Sequence, residues 1–127
     1  LKVAVLGLAF KPGTDDLREA PSIDNIALLL KNGADIVAYD PVAMNNFKKK
    51  FPEGVVEKGT ISYTNQIEEA LKDANICFIF TEWKEIKKVE PEAIKQLMRT
   101  PLVYDGRNIF DPEKMKAAGV EYYSIGR

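Results

Sequence analysis

The run Ile76-Cys77-Phe78-Ile79-Phe80 decides the fold expected of this chain. Five apolar residues follow one another here with no polar residue between them. A short, continuously apolar run is typical of a strand that is buried on both faces, and such strands occur mostly in parallel sheets covered by helices. The run therefore predicts a central strand of a parallel sheet.

Apolar runs and amphipathic stretches alternate on both sides of this strand. Residues 22–32 carry apolar side chains at helical spacing, with Ser22 as the predicted N-cap and Gly33 as the predicted stop. The other predicted strands are residues 1–6, 36–39, 102–104 and 121–125, with a weaker edge strand within 55–63. The other predicted helices are residues 43–50, 65–73, 84–88, 91–98 and 112–118. Strands that alternate with helices predict an α/β fold, which we expect to be a Rossmann-like three-layer sandwich with a mostly parallel sheet and a single domain over residues 1–127.

Composition excludes several classes of protein. The 127 residues contain 18 Lys plus Arg against 19 Asp plus Glu, a formal net charge of −1, which argues against a nucleic-acid binder. No apolar run approaches the roughly 20 residues of a membrane span, and no signal-peptide pattern is visible, so no membrane partner is expected. One cysteine, Cys77, suits a reducing, cytoplasmic setting. The chain has no histidine, the commonest general base and metal ligand, and no metal site is predicted.

Basic and aromatic residues follow the predicted strands at one edge of the sheet. Residues 7–21 join the first strand to the first helix, contain Lys11 and Arg18, and far exceed the usual connection of about 2–6 residues. Trp83 follows the central strand and Arg107 follows the next one. Because ligands of open parallel sheets bind outside the carboxyl ends of the strands, we expect a site for an anionic ligand here, held by a few placed cations.

Each of these residues also has a purely structural interpretation. Lys11 is readily explained as a solvated lysine, and Arg18 as the partner of an acidic residue in its own loop. Trp83 is equally compatible with the core, and Asp40 before a proline is a common turn residue. Cys77 is expected to be core, since a buried apolar strand offers its thiol no neighbour that would lower the pKa. It is the shared placement of the cations that favours a ligand site.

The glycines of the first loop do not form a dinucleotide fingerprint. The pattern G-x-G-x-x-G directly after a strand brings backbone amides up to a pyrophosphate. Here Gly7 is followed by Leu8 and Ala9, and the next glycine is Gly13. The phosphate-binding pattern G-x-x-x-x-G-K-[ST] is absent as well. The sequence therefore predicts that this sheet does not bind NAD in the usual way by itself.

A family resemblance joins these motifs. Residues 7–22 closely resemble the signature that opens the C-terminal domain of UDP-glucose/GDP-mannose dehydrogenases. Residues 39–41, 81–83 and 105–108 match further motifs of that domain in the same order, and residues 122–127 resemble its end. The resemblance covers essentially the whole chain. The residues of its motifs are closer to those of the UDP-glucose enzymes than to those of the UDP-N-acetylmannosamine enzymes.

The resemblance implies a nucleotide-sugar-binding domain of an NAD-dependent UDP-glucose 6-dehydrogenase. Such an enzyme oxidises UDP-glucose to UDP-glucuronate in a four-electron reaction without a metal. In that family an N-terminal domain binds NAD and carries the catalytic cysteine, and a long central helix forms a homodimer. Neither part is expected within residues 1–127, and the start at Leu1 fits a domain excised from a larger enzyme. The resemblance thus implies an inactive piece with no catalytic residue, in which Cys77 is not the nucleophile.

Four residues receive binding roles from the resemblance. Phe10, Lys11 and Arg107 are expected to contact the UDP-sugar. Arg18 is expected to reach an NAD that is bound mainly by the N-terminal domain. The acidic residues of the first loop are expected to hold that loop in shape.

Other functions compete with this one. A stand-alone nucleotide-binding module and a purely structural Rossmann-like domain both fit the fold. Within the family, the equivalent domain of a GDP-mannose or UDP-N-acetylhexosamine dehydrogenase is the nearest alternative.

Overall fold

A computed structural model describes residues 1–9 and 20–125 of the chain. The strands in these ranges are β1 (Lys2–Leu6), β2 (Asp35–Tyr39), β3 (Gly54–Val56), β4 (Gly59–Thr64), β5 (Ile76–Ile79), β6 (Leu102–Asp105) and β7 (Glu121–Ser124). The helices are α1 (Pro21–Lys31), α2 (Met44–Lys50), α3 (Ile67–Leu71), α4 (Lys84–Lys87), α5 (Pro91–Leu97) and α6 (Pro112–Ala117). None of these helices has the length and apolar character needed to cross a membrane.

The strands form one sheet in the order β3-β4-β2-β1-β5-β6-β7. All neighbouring pairs are parallel except β3 and β4, which run antiparallel at one edge. Strand β1 lies in the middle of the sheet and pairs with β2 on one side and β5 on the other. Its residue Val5 lies between Ala38 of β2 and Phe78 of β5. The predicted mostly parallel α/β sandwich is confirmed, and the sheet brings the carboxyl ends of β1, β2, β5 and β6 to one edge.

Strand β1 divides the core because its side chains alternate between the two faces of the sheet. Ala4 and Leu6 belong to a buried cluster with the apolar residues of α3, α4, α5 and α6. Val3 and Val5 belong to a second buried cluster with the apolar residues of α1 and α2. In the described ranges, four helices therefore cover one face of the sheet, and two helices cover part of the other.

Among the residues that the structure describes, no helix covers β6 and β7 on the face that carries α1 and α2, and β5 is only partly covered there. A row of stacked rings lies there, with ring centroids 5.6 Å apart between Phe78 and Tyr104 and 5.1 Å apart between Tyr104 and Tyr123. Tyr104 is 40% exposed and Tyr123 is 49% exposed. The expectation that the strand at residues 76–80 is buried on both faces is therefore wrong for one face: Cys77 and Ile79 are buried, whereas Phe78 is only partly covered.

Helix α1 begins two residues earlier than its pattern predicts. Ala20 is the N-cap and Pro21 opens the first turn, where its missing N–H costs nothing. Ser22, the predicted cap, lies inside the helix and is fully buried. Its hydroxyl donates instead to the carbonyl oxygen of Leu8, 2.5 Å away, and so fastens the helix to the end of the β1 segment. The predicted stop is confirmed, since Gly33 follows the C-cap with a φ of +85°.

The weak pattern at residues 55–63 conceals a hairpin rather than one edge strand. The strands β3 and β4 are joined by a turn in which Glu57 takes a φ of +54°. Non-glycine residues rarely adopt this conformation, so the residue types at this position did not predict the turn of a hairpin. The predicted edge strand corresponds to β3, while β4 pairs with β2 in register.

Gly7 permits the close approach of two strand ends. Its φ is +89°, and a Cβ placed on it would lie 2.6 Å from the backbone nitrogen of Thr81. Only glycine fits both constraints. The end of β1 is therefore held against Thr81, which lies two residues beyond the end of β5.

We expect Gly7→Ala to destabilise the domain by about 2–5 kcal/mol, since it adds overpacking to an unfavourable backbone conformation. Gly33→Ala is the matched control, because Gly33 has a φ of +85° and its nearest neighbour is 3.8 Å from the added Cβ. That variant should lose only about 1 kcal/mol. Urea unfolding measures both, and equal losses would show that the contact with Thr81 does not matter.

Candidate functional site

Asp40 organises the carboxyl edge of the sheet. It follows β2, is completely buried, and accepts two hydrogen bonds from the first loop, from the backbone N–H groups of Leu8 at 2.8 Å and Ala9 at 3.2 Å. Its other oxygen accepts from the N–H groups of Val42 at 2.9 Å and Ala43 at 2.7 Å. A buried carboxylate is tolerated only when its oxygens are satisfied in this way. The turn role predicted for Asp40 is thus one part of a larger one.

The residues that follow β5 connect three neighbouring loops. The Thr81 hydroxyl, which is fully buried, donates to the carbonyl oxygen of Ala9. The Trp83 indole N–H donates to the Asp40 carboxylate over 3.3 Å. The carboxylate of Glu82, between them, reaches Arg107 in the loop after β6. Three consecutive side chains therefore each bind a different loop of the rim.

Asp105 holds the loop after β6 by accepting hydrogen bonds from its backbone N–H groups, as Asp40 holds the first loop. It is 1% exposed and accepts from the backbone N–H groups of Arg107 at 2.9 Å and Ile109 at 2.8 Å. The hydroxyl of Tyr122 on β7 donates to the same carboxylate at 2.5 Å. Asn108 turns the chain with a φ of +56°, a conformation that asparagine tolerates well. This loop holds the backbone of Arg107 in one position.

The Arg107 side chain is fixed by a bidentate ion pair. Its Nε donates to Glu82 Oε2 over 2.8 Å and its Nη2 donates to Glu82 Oε1 over 2.9 Å. The side chains are 29% and 31% exposed, so solvent screens the pair only in part. The hydrogen bonds from Arg107 lower the pKa of the Glu82 carboxyl, and those to Glu82 raise the pKa of the guanidinium. The pair therefore stays fully charged at neutral pH.

A cleft of about 360 Å³ opens beside this ion pair. Arg107 and Asp105 line its polar end, and Phe78, Tyr104 and Tyr123 line its apolar wall. The cleft thus joins a charged donor at the carboxyl edge to the row of stacked rings. An anionic group with an attached ring system fits both parts of it chemically.

The predicted site residues are described unequally. Arg107 lies at the expected edge of the sheet, which it shares with Trp83 and Asp40, and its contact there is with Glu82. Phe10, Lys11 and Arg18 lie outside the described residues. Pattern analysis missed Glu82 as the partner of Arg107 and Asp105 as the anchor of its loop. The signal available for both was an acidic residue close to the carboxyl end of a predicted strand.

Cys77 lies in the core. Its side chain is 1% exposed, and burial raises the pKa of its thiol, with a further contribution from the nearby Asp105 carboxylate. A thiol with a raised pKa supplies almost no thiolate, the nucleophilic form. The structure gives Cys77 the packing role expected from the sequence.

Known proteins resemble this chain along nearly its whole length. The family model described as "UDP-glucose/GDP-mannose dehydrogenase family, UDP binding domain" matches residues 4–112. A UDP-glucose 6-dehydrogenase of Bacillus subtilis is 46% identical over 98% of this chain, and one of Pseudomonas aeruginosa is 42% identical over 98%. This chain covers 27% of each of those relatives.

Solved structures agree with the sequence comparisons. The NDP-N-acetyl-D-galactosaminuronic acid dehydrogenase of Methanosarcina mazei superposes with a TM-score of 0.78 at 27% identity, over 99% of this chain and 24% of that one. A UDP-glucose dehydrogenase of Pyrobaculum islandicum superposes with a TM-score of 0.72 at 28% identity, over 98% of this chain and 24% of that one.

Replacing Asp40 should disrupt the rim. We expect Asp40→Ala to lower the free energy of unfolding by about 3 kcal/mol or more. The substitution leaves several buried N–H donors without an acceptor, and each such donor costs about 1–3 kcal/mol. Asp111→Ala is the control, since Asp111 caps α6 at an exposed position through one bond, to the Glu113 N–H at 2.9 Å. Losing that cap should cost about 1 kcal/mol. Similar losses in urea unfolding would contradict the central role given to Asp40.

The thiol of Cys77 should be nearly inert in the native protein. We expect a maleimide to label it about a thousand-fold more slowly than in the unfolded chain, because access requires opening of the core. The control is Ser62→Cys in a Cys77→Ala background, which places a thiol on an exposed position of β4. Mass spectrometry follows the labelling; equal rates for the two native proteins would show that Cys77 is accessible.

Proposed function

Because the chain belongs to the UDP-glucose/GDP-mannose dehydrogenase family and matches its UDP binding domain, we propose that it binds a UDP-sugar within an NAD-dependent UDP-glucose 6-dehydrogenase. That enzyme converts UDP-glucose to UDP-glucuronate in a four-electron oxidation. The chain spans 26–28% of the length of the curated relatives it matches. The proposed activity therefore belongs to a longer protein in which this domain holds the nucleotide end of the substrate.

The position of Arg107 is the observation that carries this proposal. Its guanidinium lies at the polar end of the cleft on the carboxyl edge, where ligands of parallel sheets bind. A guanidinium matches a diphosphate well because its N–H groups form paired, charge-assisted hydrogen bonds to phosphate oxygens. We assign Arg107 to the diphosphate, or to the uridine beside it.

Two further substrate contacts are proposed from the sequence motif. Phe10 and Lys11 come directly after Ala9, whose N–H is bound by Asp40 and whose carbonyl oxygen accepts from Thr81. The described part of the first loop therefore ends at Ala9, a fixed point that is bound to Thr81, the neighbour of the Glu82 that binds Arg107. Lys11 would add a point charge to the diphosphate, and Phe10 would contact the nucleotide-sugar.

The chemistry of oxidation is assigned to other parts of the enzyme. Among the described residues the cysteine is buried in the core, so the catalytic thiol is proposed to lie outside this domain. NAD supplies the hydride acceptor when bound, mainly on another domain of the same protein, with Arg18 reaching it from this one. The full enzyme is proposed to be a cytoplasmic homodimer, in keeping with a reduced, buried thiol.

The contribution of this domain is to fix the substrate. Closing the rim over the diphosphate would exclude water and hold the sugar in one orientation for the distant thiol. A phosphate contact of this kind is uniform binding energy, which acts on substrate affinity more than on the chemical step.

The identity of the sugar rests on the curated relatives. Those with 40–46% identity carry the name UDP-glucose 6-dehydrogenase. The solved structures at 27–29% identity include enzymes named for NDP-N-acetyl-D-galactosaminuronic acid and UDP-N-acetylmannosamine. UDP-glucose is therefore the first substrate to test, and a UDP-N-acetylhexosamine is the second.

Substitution of Arg107 tests the proposal. Calorimetric titration of this chain and of the full-length protein with UDP, UDP-glucose, GDP-mannose and NAD should detect binding of the uridine ligands. Arg107→Ala should weaken it about 10- to 100-fold, the loss expected for a hydrogen bond to a charged group. In steady-state assays of the full-length protein, the variant should raise KM for the nucleotide-sugar far more than KM for NAD.

Arg99→Ala is the matched control, because Arg99 is an exposed arginine just before β6, at the opposite edge of the sheet. It should change neither affinity nor KM. Equal effects of Arg107→Ala on both substrates would count against the assignment, and NADH production from UDP-glucose by this chain alone would overturn the expectation that it is inactive.

A further inference from the structure

We propose that Glu82 is a positioning residue of the nucleotide-sugar site: it holds the guanidinium of Arg107 in the orientation that binds the diphosphate. This inference rests on the proposed function, in which Arg107 contacts the UDP part of the substrate. Glu82 itself need not touch the ligand.

The geometry of the ion pair carries the inference. A guanidinium has two bidentate donor edges, one formed by Nε with one terminal nitrogen and one formed by the two terminal nitrogens. Glu82 occupies the Nε and Nη2 edge, with distances of 2.8 and 2.9 Å. These two hydrogen bonds to one carboxylate fix the plane and the direction of the guanidinium. The Glu82 carboxylate therefore sets the direction in which Arg107 presents its N–H groups to the proposed diphosphate.

Both partners of the pair are fixed by their own backbones. Glu82 lies between Thr81, which is bound to the Ala9 carbonyl oxygen, and Trp83, which is bound to Asp40. The N–H of Arg107 donates to Asp105, and the N–H of Gly106 before it donates to the carbonyl oxygen of Ile79 over 2.9 Å. The orientation of the guanidinium is thus set by two rigid strand ends before any ligand arrives.

Positioning and simple charge repulsion predict opposite results. A carboxylate next to an anion site repels the anion, so removing it would strengthen binding if charge alone mattered. If Glu82 positions Arg107, removing it frees a long side chain that the ligand must then immobilise. Immobilising such a side chain weakens binding by about two- to ten-fold.

The test measures UDP binding to the full-length protein by calorimetry. Glu82→Ala should raise the Kd for UDP about two- to ten-fold. Glu82→Gln, which keeps one acceptor for Arg107, should fall between Glu82→Ala and the unsubstituted protein. In an Arg107→Ala background, Glu82→Ala should have no further effect, because the residue that it positions is gone.

Glu85→Ala is the charge-matched control. Glu85 is an exposed carboxylate in α4, three residues further along the chain. Its removal should leave UDP binding unchanged or slightly tighter. Urea unfolding of Glu82→Ala and Glu82→Gln checks that both are folded, as expected for a pair whose side chains are about one-third exposed.

The outcomes separate the inference from the function on which it rests. Unchanged or tighter UDP binding by Glu82→Ala, with weaker binding by Arg107→Ala, would overturn the positioning role alone. The positioning role would also be overturned if Glu82→Ala lowered the affinity for UDP equally in the presence and the absence of Arg107, because the effect would then not depend on the arginine. No effect of Arg107→Ala, or no UDP binding by the unsubstituted protein, would instead overturn the proposed function.

Discussion

The carboxylate of Asp40 is fully buried at the end of β2, and no described lysine or arginine forms an ion pair with it. Four backbone N–H groups and the indole N–H of Trp83 satisfy its oxygens instead. A buried charge of this kind is stable only while its donors stay in place, so the donors and the charge fix one another. Because two donors belong to the β1 loop and two to the loop after β2, a single side chain fixes the relative position of both.

The rest of the rim depends on that arrangement. Trp83 connects Asp40 to the segment after β5, where Glu82 in turn holds Arg107 and Thr81 holds the Ala9 carbonyl oxygen. At the end of β6, Asp105 likewise accepts a hydrogen bond from a backbone N–H, that of Arg107, and another from the hydroxyl of Tyr122 on β7. Acidic residues thus shape a site whose proposed ligand is anionic, which explains how a chain with a net charge of −1 can still present an ordered cation.

Local pattern was sufficient for the elements of the fold other than the β3–β4 hairpin, and for the edge of the sheet at which Arg107 lies. It failed where the deciding contact is distant in sequence. Ser22 looks like a cap but bonds to Leu8, which lies 14 residues away, and the Glu82–Arg107 pair spans 25 residues. The continuous apolar run at residues 76–80 correctly predicted a central strand, but it could not show that Ile76 and Phe78, on one face of that strand, are only partly buried. Roles for Phe10, Lys11 and Arg18 came from motif resemblance, since nothing in their local pattern separates a ligand contact from a solvated charge.

Trp83 is the only tryptophan of the chain, and it is partly exposed at the junction of the β2 and β5 ends. Its indole is bound to the carboxylate that fixes the first loop, and it is separated by one peptide unit from the residue that holds Arg107. Any rearrangement of either loop therefore changes the polarity around a single chromophore. The domain contains its own optical probe: the wavelength of its tryptophan emission reports the state of the rim without any introduced label.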